Sequence, residues 1–168
     1  MVKMTESTLK LTDKEALLFA EGIIDTIHEP LIVLDGDLNV VFANNSFYKY
    51  FEVQPFETVN KLIYDLGNRQ WDIPVLHKLL EYILPKNTVI HDFEITHKFE
   101  DIGEKTLLIN ARRMNIKKRK PLILISISDI TQRKINELIL KNGLEEQIEE
   151  LNLLEKKLKK LKNLDQFP

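Results

Sequence analysis

The sequence predicts an α+β domain built around a five-stranded antiparallel sheet, with a separate long helix after it. Two short strand-like runs stand near the start of the chain and three longer ones near its end, with a helical stretch between them. Strands segregated around a helical insert are typical of an antiparallel sheet whose helices cover one face. The final part of the chain carries leucines at spacings of three and four, which predicts a helix.

The first predicted helix begins at Thr12 and ends near Ile27. Thr12 and Glu15 fit a capping box, in which the hydroxyl accepts from the N3 amide and the glutamate reaches back to the N-cap amide. Pro30 disfavours helical backbone in the residue before it. Residues 1–11 show no periodicity and are predicted to be flexible. A sheet or a second copy of the chain would cover the apolar stripe of this helix, which comprises Leu17, Ala20, Ile24 and Ile27.

A hairpin and several short helices are predicted next. The runs LIVLD and NVVFAN are rich in β-branched and aromatic residues, and the turn at 35–37 contains a glycine that offers a positive φ. Asn44 or Asn45 can cap a short helix over NSFYKYF. Further helical pieces over residues 55–66 would end at Gly67, so the middle of the domain is predicted to be helical but broken.

A longer helix is predicted from Asp72 to about Pro85, because proline is tolerated in a first turn and stops a helix at its end. Its buried face would comprise Leu76, Leu79, Leu80 and Ile83. Three strand-like runs follow, at about 89–99, 105–114 and 121–130.

The last helix is predicted to begin near Gln132 and to pair with another helix. Its seam of apolar residues with one polar position comprises Leu140, Leu144, Gln147, Leu151, Leu154, Leu158 and Leu161. In a parallel pair like charges would face each other, whereas an antiparallel pair would set residues 145–155 opposite 156–162. Both directions stay open, because burial of the leucines outweighs exposed charge repulsion. The predicted organisation is a flexible start (1–11), a domain (12–132), a helix (133–164) and a short tail (165–168).

Composition and charge exclude several classes of protein. Lys and Arg number 24 and Asp and Glu number 26, so net charge gives no reason to expect attraction to nucleic acid or anionic lipid. The absence of cysteine excludes thiolate nucleophiles and every flavin or bilin attached through sulfur. No window approaches the roughly 20 apolar residues that cross a bilayer, and the start lacks a signal-peptide core. We expect a cytoplasmic protein.

No set of residues predicts catalysis or metal binding. A nucleophilic enzyme needs a serine or cysteine beside a base and an oxyanion hole, and the sequence supplies no such set. The four histidines are too dispersed for a sequence-local metal site, although His91 and His97 would share a strand face if that strand is unbulged.

The sequence resembles the PAS family at both ends of its predicted domain. The run LIVLDGDLNVVFANNSF is similar to the PAS opening, with Asn44 and Phe47 in its Asn-x-x-Phe pattern, and LILISISDITQRK resembles the PAS ending, with its DIT motif at 129–131. The stretch LGNRQWDIPVLHKLLEYILPKN resembles a bacterial and archaeal subgroup found ahead of sensor histidine kinases. The likeness covers about residues 16–134. Glu52 and Asn60 depart from it, since many members have glycine at those positions.

The resemblance implies a PAS fold and a sensory module that transmits a signal without catalysis. Asp129, Ile130 and Thr131 would pass the signal into the last helix. The expected partners are a second copy of the chain, through the N-terminal and C-terminal helices, and a signalling protein such as a histidine kinase. Two alternatives stay open: the sensor portion of a histidine kinase, and a purely structural dimerisation module with a filled core.

The resemblance also implies a ligand cavity between helices and sheet. Its predicted lining residues are Tyr64, Trp71, His77, Asn110 and Ser126. The sequence does not identify the ligand. Haem held through His77 is one alternative, and a packed or solvent-facing His77 is the other. Asn110 and Ser126 interrupt apolar strands, so they either meet a ligand or point outward and bond within the sheet.

Overall fold

The computed structural model describes residues 12–86, 89–115 and 120–164. The segments predicted to be flexible or a short tail, 1–11 and 165–168, lie outside the described residues. The elements in chain order are α1 (Asp13–Thr26), β1 (Leu31–Leu34), β2 (Val40–Ala43), α2 (Asn45–Phe51), α3 (Pro55–Thr58), a 3₁₀ turn (Ile63–Asp65), α4 (Leu66–Arg69), α5 (Pro74–His77), a π-helix (Lys78–Ile83), β3 (Val89–Phe99), β4 (Gly103–Met114), β5 (Leu122–Asp129) and α6 (Thr131–Leu164).

The five strands form one sheet in the order β2-β1-β5-β4-β3, which confirms the predicted antiparallel architecture. β1 pairs with β2 on one side and with β5 on the other, and β3 pairs with β4. The last strand of the sequence therefore lies at the centre of the sheet.

One face of the sheet packs against the helices. Side chains of a strand point alternately to its two faces, so every second residue is buried over 107–111 of β4 and 123–127 of β5. This buried set comprises Leu107, Ile109, Ala111, Ile123, Ile125 and Ile127. The helical layer contributes Leu76, Leu79, Leu80 and Leu84 to the same core. Each such Leu or Ile stabilises the fold by about 1.5–3 kcal/mol relative to an exposed side chain.

Helix α1 begins with the predicted capping box. The Glu15 amide donates to Thr12 Oγ1 at 3.4 Å, and the Thr12 amide donates to Glu15 Oε2 at 2.9 Å. The helix ends at Thr26, with Ile27 as its C-cap.

The predicted apolar stripe of α1 is only partly covered. Ile24 and Ile27 are half-buried, Ala20 is exposed, and the side chain of Leu17 lies outside the described residues. Further exposed apolar side chains on this helix are Leu18, Phe19 and Ile23.

Asn44 caps α2 and joins it to β1. Its Oδ1 accepts from the Phe47 amide at 3.0 Å and from the Leu31 amide at 2.9 Å, and its Nδ2 donates to the Glu29 carbonyl at 3.0 Å. The side chain is only 3% exposed, so these bonds replace those that water would make. Of the two candidate caps, Asn44 fills this position, and Asn45 is the first helical residue.

The turn between β1 and β2 departs from the prediction. Leu38, not Gly36, takes the positive φ, 66°. The Asp35 carboxylate accepts from the amides two and four residues on, both at 2.9 Å, and so fixes the turn. Gly36 instead avoids a close contact, because a Cβ at this position would lie only 3.3 Å from Lys120 Cβ and from Pro121 Cδ.

The two positions where the resembled family often has glycine carry left-handed backbone. Glu52, the C-cap of α2, has a φ of 55°, and Asn60 has a φ of 64°. A residue with a Cβ generally loses roughly 1–2 kcal/mol of stability in this region, which explains why glycine is favoured there. Glu52 therefore costs stability, whereas asparagine tolerates this backbone better, so the departure at Asn60 costs less. Neither departure changes the fold.

The predicted longer helix begins at Pro74, not Asp72, and changes its hydrogen-bond pattern after one turn. α5 continues directly as the π-helix, in which the Leu84 amide donates to the carbonyl of Leu79, five residues earlier, at 2.9 Å. The wider turn shifts the side chains that follow it. Leu84 is fully buried as a result, and Ile83, predicted to be buried, is half-buried.

The chain divides into two compact units, the first ending at Ser128 and the second beginning at Asp129. The second unit contains α6, a helix of 34 residues that starts at Thr131, one residue before the predicted start. Among the helices of the described residues, none has the length and apolar character that crossing a membrane requires.

Candidate functional site

Three side chains from different segments meet around His77 in the helical layer. His77 ends α5, Asp72 precedes that helix, and Glu81 lies one turn further on, in the π-helix. Tyr64 belongs to the 3₁₀ turn. These four residues are called the His77 cluster below.

Both ring nitrogens of His77 contact a carboxylate. Nε2 lies 2.8 Å from Asp72 Oδ1, and Nδ1 lies 2.8 Å from Glu81 Oε1. The Tyr64 hydroxyl donates to the same Glu81 oxygen at 2.9 Å. Its ring stacks on the imidazole, with ring centroids 3.7 Å apart and an interplanar angle of 18°. Arg69 donates to the second oxygen of Asp72 at 2.6 Å, which extends the hydrogen-bonded network to five residues.

This geometry favours the imidazolium form of His77. A neutral imidazole carries one N–H and can donate to only one carboxylate, whereas the imidazolium donates to both. The hydrogen bonds to Asp72 and Glu81 raise the pKa of His77 above its ordinary value. The bonds from His77 lower the pKa of both carboxyl groups. The His77 side chain is 34% exposed, so water partly screens these contacts.

Tyr64 is a neutral donor in this arrangement. Burial raises its pKa, and the hydrogen bond to Glu81 raises it further, so the phenol keeps its proton. The face of its ring also attracts a cation, because the π-system is negative there. Tyr64 therefore adds a second interaction that favours a protonated His77.

The backbone before the cluster is held in an unusual conformation. Gly67, Asn68 and Arg69 have positive φ values of 52°, 56° and 68°. Arg69 costs roughly 1–2 kcal/mol in this region, whereas the short polar side chain of Asn68 tolerates it better. This turn precedes Asp72, and Pro74 then opens α5, a position where its missing amide costs little.

Trp71 lies in an aromatic core. It is 3% exposed, and its ring centroid lies 4.8 Å from that of Phe51, 5.9 Å from Phe47 and 5.5 Å from Phe99. The cavity beside it measures about 10 Å³, no more than one water molecule needs. In the described part of the chain, every buried side-chain N or O atom has a hydrogen-bond partner. The interior beside Trp71 therefore has no room for a small-molecule ligand.

The structure places the five predicted cavity residues in two separate regions, and their role in lining a ligand cavity stays a prediction. Tyr64, Trp71 and His77 lie in the helical layer. Asn110 and Ser126 lie on the opposite face of the sheet, because the residues on either side of them in β4 and β5 are the ones that face the core.

Asn110 and Ser126 line a shallow depression of about 220 Å³ on that outer face. Asn110 Oδ1 accepts from the Asp92 amide at 3.0 Å, where a β-bulge gives Asp92 a φ of 54°. Asn110 thus bonds within the sheet, which is the second of the two interpretations that the sequence leaves open.

The bulge also separates His91 from His97. The pairing of β3 with β4 shifts between Ile90 and Phe93, so one extra residue enters β3 there. His91 lines the outer depression, whereas the ring of His97 meets that of Phe99 edge-on, with centroids 4.9 Å apart. The two histidines would share a face only in an unbulged strand.

The residues predicted to transmit a signal join β5 to α6. β5 ends at Asp129, and the Oδ1 atom of this aspartate accepts from the Thr131 amide at 2.8 Å. The Ile130 carbonyl accepts from the Lys134 amide at 2.9 Å. Two residues after the strand, the backbone is therefore already helical. The transmission role of these residues stays a prediction.

The geometry of His77 does not fit a haem ligand. A haem iron needs a free imidazole nitrogen, and both nitrogens of His77 are 2.8 Å from a carboxylate oxygen. Within the described residues, no group of three or more His, Asp or Glu side chains is arranged to hold a metal ion.

The sequence analysis missed Asp72 and Glu81 as partners of His77. Glu81 stands four residues after the histidine, a spacing at which helical side chains meet, so the sequence contains a signal for this contact. Asp72 stands five residues before it and outside the helix, where no regular spacing predicts a contact. Tyr64 was predicted as a site residue, and the structure places it against His77.

Comparisons with known proteins agree on one fold. A family model described as the PAS fold matches residues 24–135. The structure is similar to that of the PAS domain from Bordetella pertussis BvgS, with a TM-score of 0.55, 18% identity and coverage of 77% of this chain and 97% of that one. It is also similar to the PAS domain of nitrogen regulation protein NR(II) from Vibrio parahaemolyticus, with a TM-score of 0.52, 17% identity and coverage of 66% and 97%.

An RNA-binding Light-Oxygen-Voltage receptor gives a TM-score of 0.66 at 13% identity, and the likeness covers 86% of this chain and 41% of the receptor. No curated protein matches the sequence.

Proposed function

Because this chain belongs to the PAS-fold family, a family of sensory signalling modules, we propose that it receives a signal and passes it through α6 to a partner protein. The observation that carries this proposal is the connection between sheet and helix. β5 is the central strand of the sheet, and the same strand continues through Asp129, Ile130 and Thr131 into α6. A change felt by the sheet would thus reach the helix through a single connecting residue, Ile130. The module itself would not catalyse a reaction.

The proposed partners are a second copy of the chain and a signalling protein such as a histidine kinase. The seam leucines from Leu140 to Leu158 are between 48% and 73% exposed in the single chain, and the side chain of Leu161 lies outside the described residues. A row of exposed leucines at coiled-coil spacing supports a partner helix. One of the similar structures is a PAS domain from a two-component sensor histidine kinase, which supports a two-component partner. A partner of that kind acts inside the cell, so we place this function in the cytoplasm.

Native mass spectrometry of the purified chain tests the dimer. We expect a mass of twice 19.7 kDa for the wild type and a monomer for the double variant Leu151→Ser, Leu158→Ser. Leu153→Ser is the matched control, because Leu153 is 53% exposed on the same helix but lies off the seam. The control should remain a dimer. A monomeric wild type, or a seam variant that stays dimeric, would contradict the proposed helix pairing.

An Asp129→Ala variant tests transmission. In a protein that carries this chain ahead of a histidine kinase, the variant should uncouple autophosphorylation from the signal, because it removes the acceptor for the Thr131 amide. Ser128→Ala is the control at the neighbouring position. Full coupling in the Asp129 variant would show that the signal takes another route.

A purely structural dimerisation module is the second candidate function. The small cavity at Trp71 favours it over a ligand held beside that residue. The same native spectra separate the two, because a ligand carrier retains an added mass and an absorption band after gentle purification, and a scaffold retains neither.

A further inference from the structure

We propose that the His77 cluster is a proton-binding site through which this chain senses acidity. The inference rests on the proposed sensory function and names its signal. It starts from the position of His77, whose two nitrogens each lie 2.8 Å from a carboxylate, one before α5 and the other on the π-helix. A proton bound to the ring therefore links two segments of the chain.

Charge balance in the cluster depends on this proton. The titratable or charged groups that face the ring, among the described residues, are Asp72 before α5, Glu81 on the π-helix and Tyr64 on the 3₁₀ turn. Arg69 faces the second oxygen of Asp72. With His77 protonated, two positive charges balance two negative ones. Loss of the proton leaves one negative charge uncompensated.

Deprotonation also removes a hydrogen bond. One ring nitrogen then presents a lone pair to a carboxylate oxygen, and the two repel each other. Either Asp72 or Glu81 must turn towards water. The contact that breaks releases one of the two segments from His77. The Tyr64 hydroxyl, 2.9 Å from Glu81 Oε1, can still donate to Glu81.

The segment that follows His77 is suited to respond to loss of the proton from the His77 ring. It is a π-helix, a form that is rare because its packing is less favourable than that of an α-helix. Side-chain contacts at Glu81 help to hold it, and the bond from the Leu84 amide to the Leu79 carbonyl completes its turn. Since Leu79 and Leu84 are fully buried in the core against the sheet, a change of helical register here would reach the sheet.

The test is an NMR titration of the His77 ring nitrogens between about pH 5 and 9 in the full chain, with amide hydrogen exchange measured at the same pH values. The double variant Asp72→Asn, Glu81→Gln removes both negative partners. Asp65→Asn is the matched control, because it neutralises an exposed carboxyl on the adjacent 3₁₀ turn. Far-UV circular dichroism verifies that each variant is folded.

We expect the pKa of His77 to be lower in the double variant than in the wild type, and unchanged in the control. Amides of residues 78–84, corrected for intrinsic exchange, should exchange about two- to fivefold faster above the pKa of His77 than below it, as loss of an exposed ion pair predicts. This pH step should disappear in the double variant. An unaltered pKa in the double variant, or a segment whose exchange has no step, would overturn the proposal.

Native mass spectrometry at both ends of the pH range separates this inference from the proposed function. A dimer in which residues 78–84 do not respond to pH would refute proton sensing alone. A chain that is monomeric throughout, with a His77 that titrates as expected, would refute the proposed output through α6 and leave the proton site standing.

Discussion

Asn44 organises the corner at which α1, β1 and α2 meet. Its side chain accepts from the amides of Leu31 and Phe47 and donates to the carbonyl of Glu29. Without this side chain the buried Leu31 amide would lose its acceptor, and the Phe47 amide would keep only the backbone carbonyl of residue 44, at 3.0 Å. A short polar side chain at this position thus fixes the direction in which the chain leaves the hairpin.

Replacing this residue tests that role. Asn44→Ala should lower the free energy of unfolding by about 2–3 kcal/mol, the sum of a lost N-cap and an unpaired buried amide. Urea denaturation followed by circular dichroism measures it. Asn45→Ala is the control, since Asn45 is exposed, and should change the free energy by less than about 0.5 kcal/mol. Equal effects in the two variants would contradict the assignment.

The His77 cluster makes stability depend on pH, with a sign set by the directions of the shifts. The pKa of His77 is raised in the folded state, so its contribution is complete below about pH 6.5 and is lost as pH rises through the folded value. The pKa values of Asp72 and Glu81 are lowered, so their contribution is complete above about pH 4.5 and is lost as pH falls.

The wild type should therefore exceed His77→Gln in unfolding free energy most clearly between about pH 4.5 and 6.5. Urea denaturation of both proteins from about pH 4 to 9 measures the difference. His91→Gln, on the outer face of the sheet, is the matched control. A difference that stays constant over this range would show that the cluster does not titrate as its geometry implies.

At the scale of elements, the end of α2 stores conformational strain at Glu52. Its φ of 55° suits glycine, so Glu52→Gly should raise the free energy of unfolding by about 0.5–1 kcal/mol. Thermal unfolding measures the change. Glu52→Ala is the control, because alanine keeps the Cβ and hence the strain, and it should leave stability nearly unchanged. Stabilisation by alanine would point to the charge of Glu52 as the cause.

Elements defined by regular alternation could be predicted from the sequence, and irregular ones could not. The predicted limits of β3 agree with the observed strand, because apolar and polar residues alternate along most of it. The bulge at Asp92 and the π-helix each add one residue to a repeat, which leaves composition unchanged and is invisible to a periodicity argument.

Regular alternation also decides which positions of the candidate site could be predicted from the sequence. The outward positions of Asn110 and Ser126 follow from the alternation of their buried neighbours along β4 and β5, which is one of the two interpretations that the sequence leaves open. The contact between Asp72 and His77 depends on a turn with three consecutive positive φ values, and only the glycine in that turn marks it in the sequence.

At the scale of the whole molecule, the first compact unit contains the sheet and its helical layer. A chain that ends after Ile130 should therefore fold, with a cooperative thermal transition, and should dimerise more weakly than the full chain because it lacks the leucine seam. Circular dichroism and light scattering measure the two properties. The full chain at the same concentration is the control. Loss of the transition would show that the sheet depends on α6 for stability.

The bulge in β3 bears on how copies of this chain meet. β3 lies at an edge of the sheet, where unpaired amides and carbonyls can recruit a strand from another molecule. The extra residue near Asp92 interrupts the even spacing of those groups. Edge-to-edge growth of the sheet, the first step towards aggregation, is thereby discouraged at the longer of its two border strands.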